Sequence, residues 1–174
     1  IEFANGDVST KWGAIRAELG HPEPFNMKYL GIGNEEVGDP FFERYPYFHK
    51  AIREKHPKIK LINSAGPFPA GSEYDKGWES AKKWGSDYVD EHYYTSPEWM
   101  LANVHRYDGF DPQGPRVFLG EYASWGSTFW NALCEAAYMT GLENNAPTVG
   151  LACYAPLFAH TAYGGWRPDL IYFN

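Results

Sequence analysis

Met27-Lys28-Tyr29-Leu30-Gly31-Ile32-Gly33-Asn34-Glu35 is a short apolar run that ends in an amide and a carboxylate. Such a run, without polar alternation, fits a strand covered on both faces, as in a parallel sheet. The glycines Gly31 and Gly33 suggest a phosphate-cradling turn, but that turn needs a third glycine at the start of a helix. Two acids, Glu35 and Glu36, follow instead. The strand therefore carries charge, not phosphate-binding amides, to its C-terminal end.

Working outward, the same unit recurs. A helix is expected from Ser9 to Leu19, capped by Ser9 or Thr10, with Trp12, Ile15 and Leu19 on one face and Gly20 as its stop. After the run at 27–33, a helix is expected over Arg44 to Lys55 with Tyr45, Phe48 and Ile52 inward. Pro46 would then fall in its first turn, where proline is tolerated. Strands over Lys58 to Ile62 and Asp87 to Tyr93 bracket a helix marked by Trp78, Ala81 and Trp84. Ser96-Pro97, a cap followed by proline, opens a helix whose buried face is expected at Met100, Val104 and Tyr107. Arg116 to Leu119 reads as a fourth strand, Thr128 to Leu142 as a long apolar helix, and Val149 to Tyr154 as a fifth strand.

Strand centres near residues 30, 60, 90, 118 and 151 are spaced by about 30 residues, the length of a strand–helix unit. An open doubly wound sheet or a (β/α)8 barrel would satisfy this. Every strand closes on polar groups: Asn34-Glu35, Asn63-Ser64, Glu91-His92-Tyr93-Tyr94, Glu121-Tyr122 and Tyr154. A barrel builds its site from the ends of many strands, whereas an open sheet concentrates it at one switch point. The expected fold is α/β, a partial (β/α)8 TIM barrel of about five parallel strands. Eight such units need roughly 240 residues, and 174 are present. Residues 1–174 are therefore expected to be one piece of a larger barrel, with two unpaired edge strands open to self-association.

Composition narrows the function. Lys and Arg number 15 against 22 Asp and Glu, a net charge of −7 that disfavours a phosphate-binding surface, so no nucleic acid is expected. The absence of a run of about 18 apolar residues speaks against a membrane span. Two cysteines, Cys134 and Cys153, are too few for a disulfide scaffold or a four-cysteine zinc site, and both read as reduced core residues. Asp90, Glu91 and His92 are adjacent, so alternation keeps them from sharing one ion; neither metal nor cofactor is expected. Aromatic residues make up 18% of the chain, which suits both a packed core and a sugar-binding surface.

Glu35 and Glu121 stand out, at the ends of strands three apart. Retaining glycoside hydrolysis needs two carboxyl groups about 5–5.5 Å apart, one an acid/base and one a nucleophile. Alternation lets only one of Glu35 and Glu36, and only one of Tyr93 and Tyr94, face such a site.

Tyr29-Leu30-Gly31-Ile32-Gly33-Asn34-Glu35 resembles the acid/base strand of the α-L-arabinofuranosidases of glycoside hydrolase family 51, and Phe118-Leu119-Gly120-Glu121-Tyr122-Ala123 resembles their nucleophile strand. The likeness extends to Phe3-Ala4-Asn5-Gly6, Gly20-His21-Pro22-Glu23-Pro24-Phe25, Asp90-Glu91-His92-Tyr93-Tyr94, Tyr154-Ala155-Pro156-Leu157-Phe158 and Trp166-Arg167-Pro168-Asp169. It runs in order over nearly the whole chain. The resemblance implies the fourth to eighth strands of a barrel, with the first three units and a C-terminal β-sandwich lying outside this chain. It implies retaining release of terminal α-L-arabinofuranose from arabinan or arabinoxylan, and it does not imply that this chain acts alone.

Carried over, Glu35 is the general acid/base and Glu121 the nucleophile. Asn34 would bond the sugar 2-hydroxyl, Tyr94 would donate to Glu121, and His92 would line the pocket. Trp125 and Trp166 would be stacking platforms for sugar rings. Where some family members hold the sugar with a glutamine, this chain reads Ala155-Pro156. The alternatives are another retaining barrel glycosidase, of xylanase or β-galactosidase type, and a non-catalytic carbohydrate-binding protein. Plant-polymer degradation would place the protein in the periplasm or outside the cell.

Overall fold

A computed structural model describes residues 1–166 and 169–174. Five parallel strands, β1 (Tyr29–Gly31), β2 (Lys60–Ser64), β3 (Tyr88–Thr95), β4 (Arg116–Ser124) and β5 (Val149–Tyr154), lie side by side in chain order. Helices α3 (Asp39–Lys55), α4 (Ser72–Trp84), α5 (Pro97–Ala102) and α6 (Phe129–Asn144) make the crossovers. The result is a partial (β/α)8 barrel with β1 and β5 as its edges. Helices α1 (Glu2–Asn5) and α2 (Lys11–Glu18) precede β1, and a parallel pair, β6 (Phe158–His160) and β7 (Ile171–Phe173), follows β5. None of α1, β6 and β7 is visible as periodicity in the sequence, because each is three or four residues long.

The core lies between the outer face of the sheet and α4–α6. Val89 and Tyr93 of β3, Val117, Leu119 and Tyr122 of β4, and Val149 of β5 meet Trp78, Ala81, Met100, Cys134, Tyr138 and Leu142 there. Helix starts follow their caps. Thr10 accepts from the Gly13 amide, Ser96 from Trp99, and Thr128 forms a reciprocal box with Asn131. Arg16, wholly buried, donates to the carbonyls of Phe3, Gly6, His21 and Pro22 and so ties the N-terminal segment together.

Several sequence expectations need correction, among them the helix opened by Ser96-Pro97, which ends at Ala102 and leaves Val104 and Tyr107 beyond it. Helix α3 starts at Asp39, with Pro40 in its first turn and the Gly38 amide held by Glu73 at 2.6 Å. Pro46 therefore sits in the helix interior, and Phe48 is exposed while Tyr45 and His49 are buried. Cys153 is exposed where a core thiol was expected, because β5 is an edge; Cys134 is buried as expected. Strand β4 continues past Leu119 to Ser124, which decides the geometry of the site.

Candidate active site

Strand β3 sorts its side chains by alternation. Val89, Glu91 and Tyr93 face the helices, leaving Asp90, His92 and Tyr94 on the inner face. Strand β4 begins in the same phase, with Val117 and Leu119 outward. Strict alternation would then turn Glu121 outward as well. It does not, because the register slips: Glu91 pairs with Leu119 but His92 pairs with Glu121. Gly120 is an extra residue, a β-bulge that re-aims the following side chain. Beyond it Tyr122 is the outward residue, and Glu121 lies opposite His92 on the inside.

Glu35 reaches the same point differently. It lies beyond the end of β1 in a turn and adopts φ +53°, a left-handed conformation uncommon for a residue with a side chain. Such conformations cost about 1–3 kcal/mol and gather at functional sites. Gly33, at φ +86°, leaves no room for a Cβ because the Glu36 side chain folds across it. Glu36 is thus packed against the turn, and Glu35 points at His92.

His92 sits between the two acids. Its Nδ1 lies 3.1 Å from Glu35 Oε1 and 3.7 Å from Glu121 Oε1. One carboxylate oxygen from each glutamate and His92 Nδ1 all lie within 4.8 Å of one another. Tyr94 donates its hydroxyl to Glu121 Oε2 at 2.7 Å. The glutamate side chains are one-third exposed, whereas His92 is buried. Burial pulls the His92 imidazole down, but Asp90, Glu35 and Glu121 outweigh it and hold the ring pushed up to about 9. Burial and the Glu121 charge push the Tyr94 phenol up, so it remains a donor.

Trp125 and Trp166 are each half-exposed and stand beside Tyr94, with ring centroids 5.5 and 6.0 Å from it. The three rings form a rim next to the carboxylates. Asn34 is exposed on the turn that carries Glu35. All seven sequence-selected residues thus lie on or near one mouth of the sheet. Arg167 and Pro168, quoted above as part of a motif, lie outside the described residues. Glu35, His92 and Glu121 are close enough to surround an ion, but an ion would have to displace the proton that the surrounding acids hold on His92. A cavity of about 600 Å³ lined by Lys60, Tyr88 and Arg116 lies at the opposite end of the strands.

Sequence reasoning missed two parts of this arrangement. Asp90 is a motif residue with no role that the sequence assigns, yet its Oδ1 is 3.1 Å from His92 Nε2. The bulge at Gly120 is not marked by spacing, although a glycine inside a strand is a bulge signal.

Comparison with known proteins fits this geometry. A family model described as the α-L-arabinofuranosidase 1 domain matches residues 1–111, and one described as the α-L-arabinofuranosidase C-terminal domain matches residues 120–174. The chain belongs to the α-L-arabinofuranosidases of glycoside hydrolase family 51. An extracellular exo-α-L-arabinofuranosidase of Streptomyces chartreusis is 52% identical over all of this chain, which spans 21% of that relative. Alpha-L-arabinofuranosidase 1 of Arabidopsis thaliana is 38% identical over all of this chain and a quarter, 25%, of its own length. Among solved structures, an arabinose-bound family 51 α-L-arabinofuranosidase superposes with a TM-score of 0.76 at 33% identity, covering 100% of this chain and 29% of that one. The chain thus spans between a fifth and a third of these three family members. Among the described residues, no helix is long and apolar enough to cross a membrane.

Proposed function

We propose that this chain supplies the catalytic carboxylates of a retaining α-L-arabinofuranosidase that releases terminal α-L-arabinofuranose from arabinan or arabinoxylan. The observation that carries this reading is the approach of Glu35 and Glu121 to within 4.8 Å. Double displacement uses carboxyl groups about 5–5.5 Å apart, whereas inversion needs about 6.5–9.5 Å for an intervening water. Two carboxylates suit any retaining glycosidase. The family match selects arabinofuranosides over the xylosides and galactosides that the glutamates alone would allow.

In this mechanism Glu35 protonates the leaving oxygen while Glu121 attacks the anomeric carbon, forming a covalent arabinosyl ester. Water then attacks that carbon, Glu35 takes its proton, and Glu121 leaves as a carboxylate. The Tyr94 hydroxyl holds the attacking carboxylate in place. Asn34 is assigned a bond to the 2-hydroxyl, and Trp125 and Trp166 are assigned apolar contact with sugar faces. The first three barrel units and a β-sandwich are proposed to belong to the longer enzyme outside this chain. Strands supplied from there would cover β1 and β5; without them these edges are open to self-association. An extracytoplasmic site accords with the name of the Streptomyces relative.

The test is hydrolysis of an aryl α-L-arabinofuranoside by the longer enzyme, with proton NMR of the first-formed sugar. The α-anomer is expected. Formation of the β-anomer first, or activity that survives Glu121→Ala, would overturn the assignment.

A further inference from the structure

We propose that Asp90 is a positioning residue for the catalytic pair: it keeps a proton on His92 Nε2, so that Nδ1 is the edge of the ring turned to Glu35 and Glu121. The proposal rests on the reading of those two glutamates as the catalytic carboxylates.

Asp90 precedes His92 by two residues on β3 and shares its inner face. Its side chain is 18% exposed, and its Oδ1 is buried without a hydrogen bond. A buried carboxylate oxygen left unpaired is costly. An N–H group stands within reach, His92 Nε2 at 3.1 Å, and a small rotation of the ring aligns it. The surroundings allow little else. A Cβ on Gly120 would overlap Asp90 Oδ1 and stand 2.8 Å from His92 Nε2. The glycine that makes the bulge therefore also makes room for this pair.

With Nε2–H directed at Asp90, Nδ1 has two states. When Glu35 is neutral, its hydroxyl donates to the Nδ1 lone pair. When Glu35 is anionic, Nδ1–H donates to Oε1, 3.1 Å away. One proton passes between them, an N–H bond breaking as an O–H bond forms, and no other group changes charge. If the ring carried its only proton on Nδ1, it could not receive a proton from Glu35 at that edge. Charged or titratable groups around the ring are Asp90 and Tyr94 on β3, Glu121 on β4 and Glu35 beyond β1, with Cys153 of β5 near Asp90.

Nitrogen-15 NMR of the histidine-labelled longer enzyme tests this, with the His92 signals assigned by His92→Gln. In the unmodified protein, in the pH window above the titration midpoint where the ring is neutral, its one proton is expected to stay on Nε2. Asp90→Asn, nearly the same shape, is expected to lower the His92 titration midpoint by about one unit or more. An unprotonated Nε2 in that window, or an unmoved midpoint, would overturn the proposal. The first measurement needs no variant and stands even if Asp90→Asn misfolds. In the longer enzyme Asp90→Asn is expected to move the alkaline limb of the kcat profile to lower pH. A purely structural role would lower activity at every pH, and an unshifted limb would refute positioning. Failure of the glycosidase reading is distinguishable, since it would show as activity persisting in Glu121→Ala while the NMR result stood.

Discussion

Glu91 and Glu121 are both strand glutamates in the middle of the sheet, and they live in opposite worlds. Glu91 points to the helix layer and is completely buried. It accepts from Tyr74 at 2.8 Å, Trp78 at 2.9 Å, Tyr107 at 2.8 Å and Arg106 at 3.2 Å. Arg106 is itself enclosed by the rings of Tyr74, Tyr93, Trp99 and Tyr107. Every lone pair on that carboxylate is engaged, so it has no capacity left to react. Glu121 is one-third exposed and takes a single hydroxyl donor, Tyr94. Saturation marks an acid that holds the fold together, and a carboxylate left short of partners beside a second one is available for chemistry.

The comparison breaks most sharply if the wrong acid proves essential. Glu121→Gln in the longer enzyme should lower kcat by about ten-thousand-fold on an aryl arabinofuranoside while the melting temperature changes little. Glu91→Gln should do the reverse. It leaves Arg106 buried without its counter-charge, which costs about 3–5 kcal/mol in urea unfolding, while the remaining folded molecules keep their turnover. Tyr94→Phe removes one aiming hydroxyl and should cost kcat about a hundredfold with KM little changed.

A smaller effect concerns pH. A histidine whose folded-state value is raised stabilises the fold below its unfolded value near 6.5, and that contribution disappears as pH rises through about 9. The free energy of urea unfolding should therefore fall between these two pH values, by on the order of 2 kcal/mol, and the fall should shrink in His92→Gln. Smallest of all, Trp125→Ala should raise KM several-fold through about 1 kcal/mol of lost stacking, with kcat retained.

The strands were legible because short runs rich in β-branched and aromatic residues recur at a regular spacing of about 30 residues, and Val149–Tyr154 has the bounds its residues suggest. The cap at Ser96 was legible for a similarly local reason, and the cap before the second helix was narrowed to Ser9 or Thr10, of which the structure uses Thr10. The start of α3 was not, since Gly38 has no capping side chain and its amide is held by Glu73 from another helix. Within the site, composition and spacing pointed to Glu35 and Glu121, but alternation alone could not say which of Glu35 and Glu36 faces inward. A left-handed backbone at Glu35 decides that, and it depends on packing with Glu36 and Gly33. The role proposed for Asp90 was hidden because it exists only as a side-chain distance to a residue two positions on along its own strand.

The single extra residue at position 120 sets a frame for everything downstream on its strand. Deleting it would swap the two sides of the remaining ribbon: the Glu121 carboxylate would be driven among the tyrosines of the helix layer, and Tyr122 would be swung into the mouth. Any transplant of this acid pair into another barrel must carry that insertion with it, and an alignment that closes the gap there would match the letters and lose the enzyme.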